Sequence, residues 1–102
     1  MADSTEPIRV LHNEAAHRFE TQVDGETAVL LYRREGGTIT FVHTRVPEGI
    51  ARHGVGSELV RTSLEFAKSQ GLTVVPLCPF AAAYLRSHSE YLDLVVEKFR
   101  QS

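Results

Sequence analysis

Tryptophan is absent from this chain, cysteine and methionine occur once each, and there are only four prolines. One thiol can neither close an internal disulfide nor supply a cysteine-rich zinc site. The chain is therefore expected to fold by packing alone in a reducing compartment, and is read as cytoplasmic. A positive excess is also missing. Eleven Lys and Arg against thirteen Asp and Glu give a formal net charge of -2, too little cationic surplus to grip a polyanion by counterion release, so no nucleic-acid partner is expected. No apolar run reaches the roughly 20 residues that a membrane span needs, because the most apolar stretch, residues 72–85, is interrupted by Pro76 and Pro79. Residues 1–7 are polar and acidic, without the apolar segment of a signal peptide, and are expected to be disordered or frayed. Neither His12 with His17 nor His88 with Glu90 matches a metal-ligand spacing on one helix face, so no metal is expected.

What remains is ordinary globular composition: 102 residues, 42% hydrophobic and 24% charged. That predicts one domain over residues 8–102. Residues 8–35 alternate in short extended segments, with Val10 and His12, then Phe19 and Thr21, on either side of a polar turn. In residues 27–33, apolar side chains occupy both parities, the pattern of a central strand covered on both faces. Gly36-Gly37 marks an antiparallel hairpin into residues 38–46. After Pro47 the period changes. Val55, Leu59, Val60, Ser63, Leu64 and Ala67 recur at helical spacing, and Gly71 is placed to end that helix with a left-handed cap. A buried strand over residues 72–77 leads to Pro79, suited to the first turn of a helix through Tyr84. A last amphipathic stretch covers residues 91–99.

Three constellations carry chemistry. The turn Arg52-His53-Gly54-Val55-Gly56-Ser57 enters a helix, where glycines permit close backbone approach and unpaired first-turn N–H groups favour an anion such as a phosphate. The same turn also reads as a plain strand-to-helix connection. Cys78, just before Pro79, is the candidate N-cap, a position whose dipole favours a thiolate; its other reading is a small apolar filler. His43, near the end of a strand that runs into the glycine turn, is a candidate proton acceptor, and Tyr84 a candidate proton donor if its hydroxyl turns back toward the strand end.

Taken in order, Phe41-Val42-His43-Thr44, Val46-Pro47, Gly54-Val55-Gly56, Leu77-Cys78-Pro79-Phe80 and Tyr84 through His88-Ser89-Glu90-Tyr91 resemble the short single-domain branch of the GNAT superfamily of acetyl-CoA-dependent N-acetyltransferases. The resemblance implies an α/β (α+β) fold: a mixed, mainly antiparallel sheet with splayed central strands and helices packed on it. It implies acetyl-CoA as cosubstrate and a primary amine acceptor, a small molecule or a protein lysine; nothing in the composition demands a partner subunit, and a monomer or weak dimer is expected. It further implies that Arg52, His53, Gly54, Val55, Gly56 and Ser57 cradle the diphosphate, with Ala51 where the pattern carries Gln or Arg. The backbone of Val42, His43, Thr44, Arg45 and Val46 would hold the pantetheine arm. Cys78 would accept the acetyl group or line the thioester pocket, Tyr84 would protonate the leaving thiolate, and His43 would take the amine proton. A non-catalytic acyl-CoA-binding or protein-interaction module is the alternative, and a nucleotide-binding module a more distant one.

Overall fold

The computed structural model describes residues 8–97, apart from the side chains of Arg52 and His53. The expected fraying of residues 1–7 and the end of the last amphipathic stretch at Phe99 lie outside the described residues. Five strands form one sheet in the order β1-β2-β3-β4-β5. They are β1 (Leu11–Asn13), β2 (Arg18–Val23), β3 (Glu26–Glu35), β4 (Thr38–Arg45) and β5 (Thr73–Pro76). The first four pair antiparallel and β5 joins β4 in parallel. A parallel neighbour needs a crossover, and helix α1 (Val55–Gln70) supplies it; α2 (Pro79–Ser87) follows β5.

Local chemistry explains the joints. Asp24 (φ +53°) and Gly25 (φ +79°) both adopt the left-handed conformation of a two-residue hairpin turn, so β2 and β3 reverse tightly. At Gly71 (φ +68°), the Gly71 N–H donates to the Lys68 carbonyl and the Leu72 N–H to the Ala67 carbonyl. This double closure ends α1 as its spacing predicts. Ile50, 1% exposed, pins the 3-10 turn Glu48–His53 to the core before α1 begins.

The fully buried strand residues lie on one face: Phe19 of β2, Ala28 and Leu30 of β3, Ile39 and Phe41 of β4, and Val74 of β5. They form one core with Val55, Leu59, Val60, Leu64 and Ala67 of α1 and with Ala81 and Leu85 of α2. The expected cover on both faces of β3 is not what folds. Val29 and Leu31, on the other face, are only half-buried, because both helices pack on the side of Ala28 and Leu30. The sheet is thus a two-layer structure with one face left to solvent and ligands. After α2 the chain makes a 3-10 turn (Ser89–Leu94) rather than an amphipathic helix. Val95 then bridges Val74 in parallel, and the Val96 N–H donates to the Val74 carbonyl at 2.9 Å, so the outer edge of β5 is partly covered.

His12 sits in an aromatic nest, stacked on Phe19 with centroids 4.2 Å apart, edge-on to Phe66, and 2.6 Å from the Tyr32 hydroxyl. Burial lowers its pKa from the usual 6.5; Glu14 opposes the shift and Arg34 adds to it. Folding therefore favours the neutral imidazole, and the stability it contributes is present above pH 6.5 and lost as pH falls below it. The melting temperature is expected to drop between pH 7.5 and pH 5, and a His12→Gln variant should flatten that slope. Parallel pH profiles for the two proteins would refute this.

Candidate active site

The ladder between β4 and β5 runs from Thr38 opposite Thr73 to Phe41 opposite Pro76, and stops there. Two local features stop it. In β4 the register against β3 shifts: Leu31 faces His43, yet Tyr32 faces Phe41, which leaves Val42 as an extra, bulged residue. A bulge bends its strand and increases its twist. On the other side, Pro79 lacks an N–H and opens α2, so the chain leaves the sheet. The last tie is the Phe41 carbonyl, which accepts from both the Leu77 and the Cys78 N–H groups at 3.1 Å. Beyond it the strands splay into a wedge whose walls are residues 42–45 and residues 77–80. The splay lies at the β4–β5 junction, toward one side of the sheet rather than at its centre.

Cys78 stands at the apex and is the N-cap of α2, as its place before Pro79 predicts. Its Sγ accepts from the Ala81 N–H at 3.4 Å and lies 3.2 Å from Thr44 Oγ1 on the opposite wall. At 1% exposure the sulfur is enclosed, yet it has two polar partners rather than a purely hydrocarbon surround. The Thr44 hydroxyl beside it comes from β4, a pairing that no local spacing in the sequence announces.

Side chains directly opposite in an antiparallel pair share a face. Thr44 pairs with buried Leu30 and so lies on the helical side, whereas His43 pairs with Leu31 and lies, exposed, on the open side. His43 and Cys78 thus flank the wedge from opposite faces of the sheet. Tyr84 follows Phe80 by one turn of α2. Its ring stacks on His88 with centroids 3.8 Å apart, and burial raises its hydroxyl pKa, with Arg61 opposing and Glu90, Glu58 and Glu65 adding to the shift. Tyr91 is anchored nearby by donating to Glu65 of α1 at 2.5 Å, which with burial pushes its pKa up to about 12.

The glycine turn borders the wedge mouth. Gly54 (φ +75°) takes the left-handed conformation at the start of α1, and no side chain caps that helix. First-turn N–H groups left without a side-chain acceptor are ready-made donors to an anion. Within the turn Val55 points into the core and Ser57 is exposed, so Val55 has only its backbone to offer outside. Gly56 is covered by the Phe80 ring: a Cβ built at Gly56 would lie 2.0 Å from Phe80 Cζ. Phe80 is nonetheless 42% exposed, Leu77 51% and Val42 38%. Three of the four exposed large hydrophobics among the described residues therefore line one opening, the fourth being Leu11. Leu77 and Phe80 were not distinguishable in the sequence, where they are part of a continuous apolar run; only their exposure singles them out. Arg45 is exposed and Val46 half-buried at the strand end, while the side chains of Arg52 and His53 lie outside the described residues. Among the described residues, no group of three His, Cys, Asp or Glu side chains could hold a metal ion, and no helix is long and apolar enough to cross a membrane.

Comparison with known proteins agrees with this geometry. The solution NMR structure of a GCN5-like protein from Staphylococcus aureus, described as a candidate N-acetyltransferase, superposes with a TM-score of 0.69 at 25% identity, covering 86% of this chain and 87% of that one. The sequence profile of the GCN5-related N-acetyl-transferase family matches residues 18–94, from the first residue of β2 to the end of the turn after α2. A match over that much of the chain, with the bulged, splayed strand pair inside it, means that the protein belongs to the GCN5-related N-acetyltransferase family.

Proposed function

We propose that the protein transfers the acetyl group of acetyl-CoA to a primary amine. The observation that carries this reading is the wedge at Val42: strand backbone without a partner on the β5 side, three exposed apolar side chains at its mouth, and an uncapped helix start beside it. These are the three surfaces that a pantetheine arm and its diphosphate require. The backbone of residues 42–46 would hydrogen-bond the arm, Val42, Leu77 and Phe80 would cover its apolar parts, and the N–H groups of residues 54–57 would take the diphosphate. A helix start contributes about 0.3–1 kcal/mol toward an anion, so several such contacts must act together.

In the transfer, the amine nitrogen attacks the thioester carbonyl, an N–C bond forms, the C–S bond breaks and the nitrogen loses one proton. His43 reaches the wedge from the open face and takes that proton, directly or through water, then returns it to the departing thiolate. Cys78 and Thr44 line the opposite, helical side of the same slot. No described base lies against the sulfur that would ready it as a nucleophile, so direct attack by the amine is the route that this arrangement supports.

Calorimetric titration is expected to show acetyl-CoA binding at micromolar concentration; a folded protein giving no heat up to about 500 µM would exclude the reading. Cys78→Ala and Cys78→Ser are expected to keep turnover of a reactive amine within about threefold, with no acetyl adduct on the intact protein. An adduct lost in both variants would instead establish the covalent route. Tight binding of acetyl-CoA without consumption across a broad amine panel would select the non-catalytic module.

A further inference from the structure

The uncovered face of the sheet carries a second feature beside the wedge. Antiparallel register places Leu11, Glu20, Val29 and Arg45 in one row across it, and Arg18, Leu31 and His43 in the next. Half-buried Val29 and Leu31 form an apolar floor between these polar flanks. Toward β1, Arg9, Leu11, Arg18, Glu20, Thr21, Gln22 and Thr27 line a groove of about 480 Å³.

The charge on this face is lopsided although the chain as a whole is at -2. Arg9 and Arg45 make no ion pair with any described residue, and the one carboxylate between them, Glu20, is already engaged by Arg18 at 2.7 Å. Glu35, the next carboxylate in this register, lies at the far hairpin opposite Thr38. We propose that this face holds the acceptor as an extended acidic peptide, its carboxylates meeting Arg9 and Arg45 and its lysine amine entering the wedge beside His43. The inference rests on the acetyl-transfer reading for the amine, but not for the binding of the peptide.

A peptide, rather than a small amine, follows from the span. Arg45 and Leu11 are three strand spacings apart, about 14 Å, and Arg9 lies just beyond Leu11. An occupant touching both arginines must be at least four extended residues long at about 3.3 Å each. Val29 and Leu31 give its non-acidic side chains an apolar seat, and His43, which flanks the slot at Val42, lies on this same face.

The test is calorimetric binding, without acetyl-CoA, of two peptides that differ only in charge: a nonapeptide amide with a central lysine flanked on each side by four glutamates, and the same peptide with glutamine at every glutamate. At about 20 mM salt, where screening is weak, the acidic peptide is expected to bind about tenfold tighter, as two or three partly exposed charge pairs would give. That advantage should shrink as salt is raised. Arg9→Gln and Arg45→Gln should each lower the acidic peptide's affinity about threefold while leaving the glutamine peptide's affinity unchanged, which also reports that the fold is intact. Arg45→Lys should retain most of the affinity. Equal affinity for the two peptides, binding of neither, or acidic-peptide affinity indifferent to both arginines would overturn the proposal. Absence of acetyl-CoA binding would remove the transfer reading without touching this result.

Discussion

Phe41→Ala is expected to lower the melting temperature by about 20 °C. Phe41 is fully buried at the point where the sheet divides. Truncating a buried phenylalanine costs about 3–5 kcal/mol, and each kcal/mol moves the midpoint of a domain this size by about 4–8 °C. Its carbonyl also holds both the Leu77 and Cys78 N–H groups, so collapse around the lost ring would disturb the apex of the wedge as well as the core. Thermal unfolding followed by circular dichroism measures it. A drop below about 5 °C would mean that the residue is not the keystone described here, whereas Phe41→Leu should recover most of the loss.

Gly56→Ala is expected to weaken acetyl-CoA binding at least tenfold, about 1.4 kcal/mol, with little change in melting temperature. The new methyl would occupy the place of the Phe80 ring. Because that ring is partly exposed it can swing aside, which spares the fold. A ring displaced across the wedge mouth would stand where the pantetheine arm would run. The double variant Gly56→Ala with Phe80→Ala should bind acetyl-CoA no worse than Phe80→Ala alone, since the clash then has no second partner. Strictly additive losses from the two substitutions would show that they act separately and that the ring does not mediate the effect.

Much of this architecture could be read from residue order. The period of α1, its end at Gly71, the Gly36-Gly37 hairpin and the cap formed by Cys78 before Pro79 all depend on interactions within a few residues, and each is found. The resemblance carried by the ordered motifs identified the family for the same reason, because spacing along the chain survives in the fold. The open face of β3 was not legible. Residues 29 and 31 are apolar whether a second layer covers them or a ligand does, and nothing local distinguishes the two.

The chain alone, then, determined most of the elements and their turns, which follow from short-range geometry and the periodicity of apolar residues, while the family entered through the resemblance of its ordered motifs. Only the tertiary structure decided that Val42 bulges, that Thr44 meets Cys78 across the wedge while His43 faces the other side, and that Tyr84 stacks on His88. Those outcomes depend on the register between strands distant in sequence, where a one-residue shift sends a side chain to the opposite face of the sheet.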